Sequence, residues 1–346
     1  MALDTYSPCP GGTGKKVKFC CNDLAGELQK IDRMLEGEQV QACLSHVDAL
    51  LTKYPDRACL LSTRSLVLRA THQAEAAARA VEEFLQKHPN NPVALADAAI
   101  LAAEEEGGEA AMRLLQRALT ASGEALEMRV YMAMGEVAEA LAIEGNILAV
   151  VALLDTQIAL QPDDPRPREM LLELRQSMRV PLLMKDHRWA PETPENVPWK
   201  ARYEEAVSAS RELRWSVCEE RLTRLAGEVG DEPIVWRALA AMRGWVADKE
   251  GAMDALHKYA SLPVPLDDAV EAEALARLLL DDPLGDHEDV FTVTYAVNDV
   301  DQLQTALALS RQVEAVQVNP AELTEEDQPP PRAVYHLCDR AVPEAG

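Results

Sequence analysis

From Asp23 onward, apolar residues recur at three- and four-residue intervals, in blocks long enough for two helices each. Turn residues close these blocks at a repeating distance. Tyr54-Pro55-Asp56 and His88-Pro89-Asn90 end two blocks, and the two prolines stand 34 residues apart. A third block ends near Gly123, another 34 residues on, and a fourth ends at Gln161-Pro162-Asp163-Asp164 after a longer step. Each proline stops the helix before it, because its ring cannot donate a backbone hydrogen bond and clashes with the preceding turn. In the third block, Leu95, Ala98, Ala99, Ala102, Ala111, Leu115 and Ala118 alternate small and large positions. Small residues such as Ala99 and Ala111 let two helices cross closely, while Leu95 and Leu115 fill the gap. The second block presents Leu61, Ser65, Leu68, Ala77 and Val81, and the fourth Met134, Val137, Ala138, Leu141, Val150 and Leu154. The first is degenerate: it keeps Met34, Cys43 and Val47 but sets Glu27 and Lys30 at two otherwise apolar places. One helix pair cannot cover its own apolar face, so the pairs must stack.

The rhythm breaks over residues 162–200. One helical segment near 166–179 is followed by Pro181, Pro191, Pro194 and Pro198, with Trp189 and Trp199 among them. Two tryptophans favour a crossover that docks on the helices over a free linker. Helices resume at about 200–227, 233–247, 250–261 and 267–281, with Trp236, Leu239, Ala240, Ala252 and Leu256 in the same small and large pattern. Near the end, Asp289 to Val297 is β-branched and aromatic and predicts a strand. A helix over 299–311 and further strands over 312–318 and 332–338 complete a small α/β element. The expected organisation is a head at 1–22, repeats at 23–180, a crossover at 181–200, a divergent helical array at 201–283 and the α/β element at 284–346.

The 34-residue helix pair and its small-and-large alternation resemble the tetratricopeptide repeat. The alternative is a set of unrelated helical hairpins. The resemblance implies a mainly α fold, a helical-repeat solenoid whose inner face takes a protein partner.

Composition agrees with helices, since alanine, leucine, glutamate and arginine dominate and aromatics are only 4% of the 346 residues. The formal net charge of −24 speaks against general nucleic-acid affinity, which needs a basic surface. No apolar run reaches the roughly 20 residues of a membrane span, and no apolar signal core precedes the first cysteine. Of seven cysteines, Cys43, Cys59, Cys218 and Cys338 are scattered singly. That pattern suits a reducing, cytoplasmic compartment better than a disulfide framework.

One stretch has a chemical identity of its own. Residues 9–21 read Cys9-Pro-Gly-Gly-Thr-Gly-Lys-Lys-Val-Lys-Phe-Cys20-Cys21. They resemble the SEC-C motif, a short zinc-binding segment with the pattern Cys-x-Cys-Gly-Ser-Gly-x-Lys-x-x-x-Cys followed by Cys or His. Cys9, Gly12, Gly14, Lys16, Cys20 and Cys21 fall in register, while Gly11 stands where the motif has its second cysteine. The resemblance implies zinc on Cys9, Cys20 and Cys21, with the lysines offsetting the thiolate charge. Three thiolates leave a tetrahedral site one ligand short. Water, Asp4, Asp23 and Cys43 are the candidates to complete it. A metal-free remnant and disulfide or redox chemistry stand as alternatives. If the turn keeps the motif's geometry, Gly11→Cys closes the tetrahedron.

Gly12-Thr-Gly-Lys-Lys is not a phosphate loop, because Lys15 is followed by Lys16 instead of Ser or Thr and no strand precedes it. The histidines are dispersed, and no catalytic constellation emerges. Met128, Met132 and Met134 share one helix and read as core filling. The sequence therefore points to a non-enzymatic adaptor or scaffold for a protein partner. The competing reading is a regulatory or structural portion of a larger enzyme or assembly.

Overall fold

Alanine- and leucine-rich blocks cut by proline and short polar turns build a mainly α-helical chain. The computed structural model describes residues 5–123, 126–177, 180–279, 293–296 and 334–337. Asp4, Cys338, the helix expected over 299–311 and the strand expected over 312–318 lie outside the described residues. The chain divides into two units, Met1–Glu144 with Glu212–Arg214, and Gly145–Arg211 with Trp215–Gly346.

The first unit opens with a short helix, α1 (Val17–Cys20), and a single 3-10 turn at Asn22–Leu24. Helix pairs follow: α2 (Ala25–Glu36) with α3 (Val40–Lys53), α4 (Ala58–Ala70) with α5 (Ala74–Lys87), and α6 (Pro92–Glu105) with α7 (Gly108–Ala121). Helix α8 (Met128–Ile143) packs on both α6 and α7. These stacked pairs are a tetratricopeptide-like helical repeat. Leu95, Ala99, Ala102, Ala111, Leu115 and Ala118 are all buried, as the alternation requires. Ser65 serves as more than a small residue. Its hydroxyl donates to Asp97 at 2.6 Å, and Arg129 donates to the same carboxylate at 3.1 Å. This buried network ties α4, α6 and α8 together. Burial pushes the Asp97 carboxyl up in pKa, and Arg129 and Ser65 oppose that shift.

Two expectations change. The apolar ridge of α2 does not run through Glu27 and Lys30 but through Leu28 and Ile31, continuing from Leu24. Glu27 instead meets His46 of α3 at 2.7 Å. Of the three methionines of α8, only Met134 is buried, while Met128 and Met132 are 56% and 37% exposed.

The second unit contains α9 (Ile147–Leu160), α10 (Arg166–Gln176), α11 (Leu182–Asp186), α12 (Lys200–Arg211), α13 (Trp215–Val229), α14 (Pro233–Trp245), α15 (Lys249–Ala260) and α16 (Leu266–Leu278). The helix expected over 200–227 is broken in two, with Leu213 in the left-handed region at φ 61°. Within this unit the proline-rich crossover is packed in place. Trp199 is buried beside Tyr203, and Trp189 meets Trp245 edge-on at 5.7 Å. Arg188 pairs with Asp155 and Arg237 with Glu192. Strand β1 (Val293–Ala296) pairs antiparallel with β2 (Val334–Leu337), Val293 opposite Leu337.

The repeat register generates a stability test. Ala99 is fully buried at a helix crossing. Ala99→Leu adds volume that the crossing cannot take, and it lowers stability by about 1–3 kcal/mol. Denaturant unfolding measures this, and an unchanged midpoint contradicts the packing described.

Candidate metal centre

The head is a tight reversal that brings three thiols together. Pro8 and Lys16 form an antiparallel bridge, and the Cys9 amide donates to the Lys15 carbonyl at 2.8 Å. The Gly12 amide turns back to the Cys9 carbonyl at 3.0 Å. Gly12 and Gly14 both hold positive φ, at 63° and 68°, which glycine adopts without a steric penalty. The chain then enters α1, whose end delivers Cys20 and Cys21 back beside Cys9. The sulfur atoms of Cys9, Cys20 and Cys21 lie within 4.8 Å of one another. The residues expected from the sequence are thus one cluster. Cys9 and Cys21 are fully buried, and Cys20 is partly exposed.

Polar hydrogens surround these sulfurs. Thr13 Oγ1 donates to Cys20 Sγ at 3.2 Å, and the Gly11 amide donates to Cys9. Cys9 Sγ and Cys21 Sγ are 3.6 Å apart. That separation is far longer than the roughly 2.05 Å of a disulfide bond. It is close to the edge of about 3.8 Å that four sulfurs define around a zinc ion at bond lengths near 2.3 Å. The donor set, buried thiols with hydrogen bonds directed at sulfur, fits a thiophilic metal ion.

The thiols of this cluster shift one another's pKa. The neighbouring Cys59 thiol is the main influence that holds Cys9 down to about 5, against the opposing effect of burial. Burial and then the Cys9 charge push Cys21 up to about 12. Burial is also the main influence that raises Cys20, and its partner Cys9 and then burial raise Cys59. Charge on one of these thiols opposes charge on its neighbours. A divalent ion removes that mutual repulsion.

One turn of α4 grips the head. Arg57, just before the helix, donates to the Cys20 carbonyl at 3.0 Å and also pairs with Asp23. Ser62 donates to the Pro10 carbonyl at 2.9 Å. Asn91 has two tasks. Its Oδ1 caps α6 by accepting from Val93 and Ala94, and its Nδ2 donates to the Gly11 carbonyl at 2.6 Å. Cys9, Val17 and Cys21 belong to the same apolar core as Leu24, Leu28, Val47 and Leu60. The head is therefore built into the first repeats.

This docking overturns the expectation for Gly11. A Cβ there would stand 2.4 Å from the Ala58 carbonyl carbon and 2.4 Å from the Cys59 amide nitrogen. Gly11 is the contact point of two backbones, and a cysteine side chain has no room. The candidates for the fourth ligand also change. Asp23 is engaged by Arg57, Asp4 is outside the described residues, and Cys43 is buried in α3 apart from the thiol group. Lys16 and Lys18, expected near the thiolates, lie over the Tyr6 ring at 5.9 and 4.1 Å. Sequence reasoning missed Arg57, Cys59, Ser62 and Asn91. Each acts across a long sequence separation, and no local spacing marks them.

No known protein family matches the chain, and no curated protein does. Among solved structures, that of Naa15/Naa10 bound to HypK-THB aligns over 75% of this chain and 41% of that chain, at 15% identity and a TM-score of 0.33. This chain thus spans about two fifths of the length of that one. The fold assignment rests on the helix pairs themselves.

Two substitutions test the docking. Gly11→Ala forces the head off α4 and lowers stability by about 1–3 kcal/mol. Asn91→Asp keeps a capping oxygen but turns a donor into an acceptor facing the Gly11 carbonyl, at a cost of about 1–3 kcal/mol. Thermal or denaturant unfolding measures both. Tolerance of either change contradicts the contact it targets.

Proposed function

We propose that this protein is a non-enzymatic scaffold for a protein partner, with a SEC-C-like head that holds zinc through Cys9, Cys20 and Cys21. The scaffold reading rests on one observation. Within the first unit, the leading helices of successive pairs border a cleft of about 330 Å³. Leu66 and Arg69 of α4, Leu101 and Glu104 of α6, and Glu136 of α8 line it, with His72 and Ala77 at its side. Apolar walls with one cation and two carboxylates suit a peptide segment that carries both an apolar anchor and a charge. No helix among the described residues is long and apolar enough to cross a membrane. A reducing cytoplasm suits the thiols, since the six described cysteines are all free.

The zinc reading rests on the converging thiols and the hydrogen bonds aimed at them. When bound, zinc supplies a structural cross-link between segments of the head. The residues of the head do the rest: Gly12 and Gly14 shape the turn, and Thr13 and the Gly11 amide orient the sulfurs.

Both halves are testable. Chain purified under reducing conditions carries one zinc per molecule by elemental analysis, and a strong chelator lowers its thermal midpoint. Substoichiometric metal with an unmoved midpoint contradicts the zinc reading. For the scaffold, cross-linking in cells followed by mass spectrometry maps partner peptides to α4, α6 and α8, and Leu101→Glu abolishes those cross-links. Cross-links that survive Leu101→Glu unchanged contradict a partner in the cleft.

A further inference from the structure

The metal cluster has three thiols from the head, and the place of its fourth is taken by a glycine. That glycine lies directly on the backbone of another cysteine. The Cβ position of Gly11 falls 2.4 Å from the amide nitrogen of Cys59, the second residue of α4. Cys59 is buried, at 2% exposure, in the same core as Cys9 and Cys21. Cys9 and Cys21 are the neighbouring groups that act on its thiol. The first turn of α4 thus occupies the space that the motif's second cysteine would otherwise fill, and that turn carries a cysteine of its own, although its sulfur is not among the three that lie within 4.8 Å of one another.

We propose that Cys59 is the fourth ligand of the site, so that the metal sits in a tetrathiolate centre shared between the head and the first turn of α4. This inference rests on the metal reading of Cys9, Cys20 and Cys21. Three physical arguments support it. First, four thiolates close a tetrahedron, and structural zinc sites are closed. Second, Cys59 is buried in the same apolar core as Cys9 and Cys21, in the helix turn that touches the head. Third, the substitution at position 11 and the presence of Cys59 compensate each other. A side chain at Gly11 would push α4 away, and removing it lets the helix approach until its own cysteine reaches the cluster. Cys20, whose sulfur is close to Cys9 and Cys21, completes the set.

The consequence is a change of role for the metal. In a self-contained knuckle the ion folds only its own loop. Here it joins residues about 40–50 positions apart in sequence, and the loop it closes includes α2 and α3. A cross-link closing a longer loop removes more freedom from the unfolded chain.

The test uses the full chain loaded with zinc or cobalt(II). X-ray absorption at the zinc edge of the natural chain gives four sulfur neighbours and no nitrogen or oxygen. Cobalt(II) gives the spectrum of a tetrathiolate site, and Cys59→Ser reduces its sulfur-to-metal charge-transfer intensity. Cys59→Ser also weakens zinc affinity by more than the roughly 10–100-fold that loss of an outer-shell partner costs. Cys43→Ser, at a buried thiol outside the cluster, leaves affinity and spectrum unchanged. Because Cys59→Ser could disturb folding, the absorption measurement on the natural chain stands independently of it. Three sulfurs plus one light atom in the natural chain, with full affinity in Cys59→Ser, overturns the inference and leaves the three-cysteine site intact. A natural chain that takes up neither metal overturns the metal reading and this inference together.

Discussion

The contact between Gly11 and the start of α4 is the constraint on which the first unit depends. At that point two backbones touch with no side chain between them. A head of this size has few apolar residues, with Val17 its main buried aliphatic. It cannot build a core alone, since chains below about 40 residues need metals, disulfides or partners to fold. Close approach to α4 solves this in two ways. It merges the head with the core of the first repeats, and it sets the backbone of Cys59 against Gly11. Arg57, Ser62 and Asn91 then satisfy the head's carbonyls, which burial would otherwise leave unpaired.

The polar groups at this junction show how the sequence economises. Asn91 both ends a turn and holds the head, using the acceptor of its amide for one task and the donors for the other. Deeper in the unit, Asp97 joins Ser65 and Arg129 across three helices. A buried carboxylate is costly without partners and specifying with them. Such a network favours one register of stacking over its neighbours, which apolar alanine and leucine surfaces alone discriminate weakly.

Much of the helical architecture was legible in the sequence, for a physical reason. Each helix pair is local, so its apolar spacing and its terminal proline are read within one block. The third repeat, around Ala99 and Ala111, was clear because both helices keep their small residues at the crossing. The first repeat was less clear because its ridge runs through Leu24, Leu28 and Ile31 and leaves Glu27 to pair with His46. The broken helix near Leu213 carried no glycine or proline to mark it. The metal cluster was legible in its three head cysteines, which sit within one turn of chain. Its setting was not. Gly11 looked like a lost ligand because sequence shows the missing side chain but not the helix in its place. Cys59 looked like one more isolated buried cysteine, because a contact across this separation leaves no periodic trace. A cysteine in the first turn of the next repeat's leading helix was the one available signal, and it gains meaning only when the head is known to dock there.

The central claim is that the head and the first turn of α4 form one structural element held by the thiol cluster. Hydrogen exchange on the natural chain, with and without a strong zinc chelator, tests it most directly. The account predicts that chelation raises exchange together in residues 7–24 and in the first turn of α4, while α12 to α15 keep their protection. Loss of protection confined to residues 7–24, with the start of α4 unmoved, would contradict it.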